Sequence, residues 1–378
     1  MMLHSSLASA LFLGLAVAHG DAAKELSARS QFLAVHTNNL NHCAKRHQET
    51  GLDERAIQRR AKAVRDLTGN DVFHVKRQTS SLDKSHQSTE KYNITTDSAV
   101  VFGGKPSCVL SPETTEGPFF VDGEGIRSLL LDDQVGVPVY LDIQVIDVNT
   151  CEPLQDTFLE MWNANSTGIY SGAISSANGN ANDKSNLNKV FLRGAQKTNK
   201  DGAVQFTTIF PGHYQGRATH IHIISHHNDS TTVFANNTIW GTRVTHNGQA
   251  FFDQSLIDAV EKLSPYSTNR QARTQNKADA ILLQEAATAD PFFHYVQLGT
   301  DLKRDGIFAW FTFGVNSTLT RDIMAVAKYY ASGGQVVTTN PKLPGFSAMF
   351  PGGFPTAWQP GFGPSPTMTP VSVTTKRA

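Results

Sequence analysis

The chain has 378 residues and a formal charge of zero, 33 Lys and Arg against 33 Asp and Glu. That balance gives no basis for a nucleic-acid or membrane-surface partner, either of which would favour a basic excess. Three cysteines are spread over the chain, at 43, 108 and 151.

Residues 1–20 carry a short apolar run, Leu7 to Val17, followed by Ala18-His19-Gly20. This is the pattern of a secretory signal peptide and predicts a secreted, extracellular protein. The run is too short to span a bilayer, and no later stretch reaches the roughly 20 apolar residues required. Asn-x-Ser/Thr sites at Asn93, Asn165, Asn228, Asn236 and Asn316 fit a glycoprotein. Residues 21–77 read as a charged helical segment, with helices at Glu25–Leu33 and Asp53–Leu67, ending in Lys76-Arg77. Two readings stand: a helical extension of the mature protein, or a pro-region cut after the dibasic pair. Residues 78–100, rich in Ser, Thr, Gln and Lys, read as a linker.

Residues 101–333 read as one domain, long enough to bury a substantial core. Val137–Asp147 alternates apolar and polar side chains, as a half-buried strand does. Asp156–Trp162, Ala203–Ile209, His220–Ile224 and Ile307–Phe313 read as further strands, and Asp201-Gly202 as a turn. Helical pattern is confined to Phe252–Leu263 and Asn276–Thr288. The expected fold is therefore mainly β, an antiparallel β-sandwich. Residues 334–378 are rich in Gly, Pro and Thr without periodicity and read as a disordered tail.

Cys108 and Cys151 both flank predicted strands, so in an oxidising compartment they are the expected pair. Cys43 is then left over: free, paired between chains, or removed with its segment.

The chemistry concentrates at His220-Ile221-His222. On a strand, alternate side chains share a face, so the two imidazoles project together about 6–7 Å apart at Cα. Tyr214 and Tyr170 add two phenols, and Arg217 a guanidinium. Two phenolates and two neutral imidazoles suit a hard trivalent ion better than zinc, and iron(III) is the natural candidate. The competing reading is a hydrogen-bonded core network without metal. His213, His226 and His227 read as surface or core residues, His226 lying about 13 Å along the strand from His222. Tyr140, Tyr266, Tyr295 and Trp162 read as packing residues.

These motifs together resemble the intradiol ring-cleavage dioxygenases, in particular secreted fungal members related to the protocatechuate dioxygenase β chain. The resemblance spans roughly residues 105–315 and includes Ser111-Pro112-Glu113-Thr-Thr-Glu116-Gly117-Pro118, Glu160-Met161-Trp162-Asn163, Asp201-Gly202, Phe210-Pro211-Gly212 and Arg217…His220-Ile221-His222. It implies iron(III) held by Tyr170, Tyr214, His220 and His222. It also implies Arg217 and Gln249 beside a catechol-type substrate, with Tyr214 leaving the metal when substrate binds. The implied reaction opens the ring between its two hydroxyls with O2, giving a muconic-type acid without an organic cofactor. The alternative is an inactive aromatic- or glycan-binding module on the same fold. For Arg217 to share the face of His220, three residues on, the backbone at Ala218-Thr219 must be irregular.

Overall fold

The computed structural model describes residues 40–69, 85–87, 102, 119–174, 178, 182–287 and 289–337. The predicted signal segment, the helix at Glu25–Leu33, Lys76-Arg77, Asn93, Cys108 and the chain from 338 onward lie outside the described residues.

Two helices come first, α1 (Ala44–Thr50) and α2 (Leu52–Thr68). Short strands β1 (Val121–Asp122) and β2 (Glu124–Gly125) precede the long β3 (Pro138–Asp147), then β4 (Phe158–Trp162), β5 (Arg193–Lys197) and β6 (Ala203–Ile209). Next come β7 (His220–His226), β8 (Thr232–Val233), β9 (Thr238–Trp240) and β10 (Arg243–Phe251). Helices α3 (Gln254–Val260) and α4 (Ala280–Ala286) follow, then β11 (His294–Gln297), α5 (Leu302–Asp305) and β12 (Ile307–Val315). The described chain closes with β13 (Arg321–Asp322), β14 (Ala327–Tyr330) and β15 (Gly333–Val336).

Two sheets form the sandwich. One has the order β13-β10-β7-β4-β5, with every pair antiparallel. The other has the order β11-β12-β3-β6, in which β3 and β12 run parallel over nine residue pairs and the outer pairs are antiparallel. The fold is thus mainly β and mainly antiparallel, as the alternation predicts. Val139, Leu141, Ile143 and Val145 of β3, Leu159 and Met161 of β4, Ile221 and Ile223 of β7, and Phe311 and Phe313 of β12 fill the space between the sheets.

That inward set decides where the polar residues go. With Ile221 and Ile223 inside, the period-2 pleat turns His220, His222, Ile224 and His226 outward. On β4, Leu159 and Met161 point in, so Glu160 and Trp162 join the histidines outside. Strand β10 needs a correction to its parity to contribute there. Its register against β7 runs from Phe251–His220 through Gln249–His222 to Val244–His226, with a shift between Val244 and His246. The extra residue, Thr245, is a bulge that lets Val244 and Gln249 face the same side. A second apolar cluster covers this outer face: Phe119, Phe120, Trp162, Tyr170, Tyr214, Ile224 and Val244.

The outer face of the other sheet is covered by the N-terminal helices. Ile57, Ala61 and Val64 recur at i, i+4 and i+7 on α2, and pack with Val296, Leu298, Phe308 and Trp310. Arg59 and Arg60 both hydrogen-bond Asp142, which is fully buried on β3. Burial pushes the Asp142 carboxyl up, but the bond from Arg59 and the charges of Arg60 and Arg59 win, and its pKa is lowered.

Three expectations are corrected here. Cys151 is bonded to Cys43, not to Cys108, at a Cα separation of 5.2 Å. The N-terminal helical segment, read either as an extension of the mature protein or as a pro-region, lies against the end of β3, where Leu40, Cys43 and Leu52 pack with Ile146, and this brings the two sulfurs together. The linker is interrupted by an ordered point: His86 is buried between Asp253 and Asp290, and Gln87 forms a bridge with Tyr295. At the other end, Gly333–Val336 pairs with β14 as a strand where an irregular tail is expected, because β14 offers it an open edge.

Candidate metal centre

The four predicted ligands converge. Tyr170 is delivered by a tight loop in which the Asn165 side-chain oxygen accepts from the amides of Thr167 and Ile169. Gly168, with φ at +79°, lies so close to the next segment that a Cβ there would sit 2.0 Å from the His213 carbonyl. Only glycine allows that approach, and it brings the Tyr170 loop against Tyr214. The two phenol rings meet edge to face with centroids 5.4 Å apart.

From the strand side, Nε2 of His220 lies 3.1 Å from Nε2 of His222 and 3.4 Å from the Tyr214 hydroxyl. Nδ1 of His220 faces the Ala218 carbonyl at 2.6 Å, which assigns the hydrogen to Nδ1 and leaves a lone pair on Nε2. The His222 ring is stacked flat on Trp162, with centroids 4.5 Å apart and planes within 3°. Phe119 stacks on Tyr170 in the same way at 4.7 Å. Tyr170 and His222 are therefore each held by a stacked aromatic ring and His220 by a carbonyl, while Tyr214 meets Phe119 and Tyr170 edge to face.

The donor set fits a cation. The Tyr170 hydroxyl is buried without a hydrogen-bond partner among the described residues. Burial pushes both phenols above their ordinary pKa, and Tyr214 adds to the effect at Tyr170. Such phenols ionise only if a positive charge arrives between them, which a metal ion held by two Nε2 lone pairs would supply.

Arg217 lies beside this group. A turn at Gln215-Gly216 and bends through Arg217 and Thr219 precede β7, which begins at His220. The irregular backbone required at Ala218-Thr219 is present, and the guanidinium is 2 % exposed on the ligand side. Its Nη2 donates to Oε1 of Gln249, the register partner of His222. Its Nε donates to Asp279 at 2.9 Å, while Nη1 has no partner among the described residues.

The other histidines stay apart. His213 bonds Glu261 and the Gln271 carbonyl, and His226 bonds Glu160 at 2.8 Å. His227 is half-buried at the end of the strand. Tyr266 donates to the Phe210 carbonyl and accepts from the Val137 amide, a packing role as expected.

Asp279 is the contact that sequence reading misses. Its Oδ1 accepts from the amides of Ile281 and Leu282, capping α4, and its Oδ2 accepts from Arg217 and from the Ala218 amide at 2.7 Å. An Asp before Ala-Ile-Leu-Leu is a cap signal. Drawing the helix from Asn276 conceals it.

A family model described as Dioxygenase matches residues 115–253. No curated protein matches the chain. Among solved structures, the intradiol ring-cleavage dioxygenase from Tetranychus urticae is 30% identical, covering 57% of this chain and 99% of its own, with a TM-score of 0.46. The dioxygenase domain of a carbohydrate-binding fusion from the cellulolytic bacterium Streptomyces sp. SirexAA-E is 21% identical over 56% of this chain and 96% of its own, TM-score 0.33. Catechol 1,2-dioxygenase from Pseudomonas arvilla C-1 is 18% identical over 53% and 60%, TM-score 0.32. By the identity that runs through nearly the whole mite enzyme, together with the family match across the histidine strand, this chain belongs to the intradiol ring-cleavage dioxygenases.

Proposed function

We propose that the protein is a secreted non-haem iron(III) dioxygenase that opens catechol-type rings between the two hydroxyls, using O2 and giving muconic-type acids. The observation that carries this is the convergence of two buried phenols and two imidazole Nε2 atoms, with Tyr170 and His222 held by stacked rings and His220 by a carbonyl. When bound, iron(III) supplies a Lewis acid that makes a catechol dianion accessible near neutral pH.

The chain's own groups divide the remaining work. Tyr214 is the phenol beside Arg217, whose positive charge favours its ionised form against burial. It is the group suited to leave the centre and take a substrate proton on its hydroxyl oxygen. Arg217, held by Asp279 and Gln249, keeps Nη1 for negative charge that develops on the substrate. Phe119, Phe120 and Trp162 keep bulk water from the ligands.

Purification followed by metal analysis, a visible spectrum and oxygen uptake with a panel of catechols tests the reading. About one iron per chain, a red-brown tyrosinate band and uptake with at least one catechol are expected. A protein that holds zinc at full occupancy, or stays colourless after iron addition, overturns it. An iron-loaded protein that binds catechols without consuming oxygen is the inactive module instead.

A further inference from the structure

Asp279 comes from the helix after β10, 62 residues beyond Arg217 in sequence, yet it uses both carboxylate oxygens around one point. Oδ1 holds the start of α4 and Oδ2 holds both the guanidinium and the backbone of the segment that leads into the histidine strand. It is 1 % exposed, so no water competes for these bonds. Two of the three guanidinium nitrogens are thereby committed, Nε to Asp279 and Nη2 to Gln249. The third, Nη1, is buried without a hydrogen-bond partner among the described residues, and the guanidinium charge acts on the Tyr214 phenol.

A guanidinium is planar, so fixing two nitrogens fixes the direction of the third. We propose that Asp279 is a positioning residue for ring cleavage, aiming Nη1 of Arg217 at the substrate while its own atoms touch no reactant. The inference rests on the ring-cleavage reading above and extends it to a residue outside the ligand and substrate set. A salt bridge serving stability alone leaves no reason to bury a guanidinium N–H without a partner, since burying it so has a cost.

The test separates capping from aiming. Serine caps helices well but is too short to reach Arg217. Asp279→Ser is expected to retain iron, the tyrosinate band and catechol affinity within about threefold, and to lose kcat by ~10–10²-fold, as for a misplaced catalytic group. Asp279→Asn, which keeps the side-chain length and sets an amide where Arg217 needs an acceptor, is expected to show the same split should the serine variant fold poorly. In the Arg217→Ala background either substitution should cost no further rate. Parent-like kcat in both variants, or losses that multiply with that of Arg217→Ala, overturns the proposal.

A second readout needs neither iron nor turnover. In the metal-free protein the Arg217 Nε–H should exchange slowly with solvent by nitrogen-15 NMR, and exchange at least tenfold faster in Asp279→Ser. Equal exchange overturns the anchoring. Parent protein that cleaves no catechol but passes this exchange test overturns the functional reading and leaves the anchor standing.

Discussion

Tyr170 and Tyr214 illustrate how much a few residues of local spacing reveal. Tyr214, Arg217, His220 and His222 fall within nine residues, so the strand period alone places the two histidines on one face and requires a bend to bring Arg217 round. Both features are present. The Arg217 partner was not legible, because Asp279 arrives through a helix whose start depends on packing. At this scale the ligands should not be equivalent. Tyr170→Phe, His220→Ala and His222→Ala should each strip iron by metal analysis while the far-ultraviolet spectrum stays that of the folded sandwich. Tyr214→Phe should keep most of the metal, since the phenol beside Arg217 is the one suited to leave. Arg217→Ala should keep iron, colour and catechol binding and lose ~10²–10³-fold in kcat, as for one charge-stabilising group. Unchanged iron in all four ligand variants would make the cluster a structural network.

Strands were more legible than their partners. Ala203–Ile209 matches β6 residue for residue and α2 extends the predicted Asp53–Leu67 by one residue at each end, because both carry a clean period. β5 was missed: Arg193-Gly-Ala-Gln-Lys has no apolar alternation, and it is a strand because β4 pairs with it. Arg59 and Arg60, adjacent on α2, both grip Asp142 beneath it. Asp142→Ala should therefore destabilise by about 3–5 kcal/mol in urea unfolding, as for removing one partner of a buried pair. The lowered Asp142 pKa adds a sign. Its contribution is present above the unfolded value near 4 and is lost as pH falls through the lower folded value. Parent and Asp142→Ala should thus converge in acid. A gap that persists unchanged to pH 2 would remove Asp142 from the cause.

At the scale of the molecule, residues far outside the sandwich are tied to it by charge. His86 sits between Asp253 and Asp290, and although burial opposes its charge, the bonds to the two carboxylates raise its pKa to about 9. Its stabilisation is complete below the unfolded value near 6.5 and is lost as pH rises through 9, an effect of the order of 3 kcal/mol. Parent and His86→Gln should differ most in unfolding midpoint near pH 6 and least near pH 10. A difference that grows with pH contradicts this. The sequence shows His86 only as one polar residue in a polar stretch. Its two carboxylates come from the end of β10 and the approach to β11, so no local pattern could announce it.

The Cys43–Cys151 bond joins positions 108 apart and makes everything between them a closed covalent ring. Ring closure of that size stabilises by about 4–5 kcal/mol on the chain-entropy estimate, so Cys43→Ser should lower the midpoint of unfolding accordingly. The ring has a second consequence for the Lys76-Arg77 pair, which lies inside it. Scission there opens the circle at one point and releases nothing, because α1 and α2 remain roped to the sandwich through sulfur. A nicked population should run as one full-length species on a gel without thiol and resolve into two fragments when reductant is added.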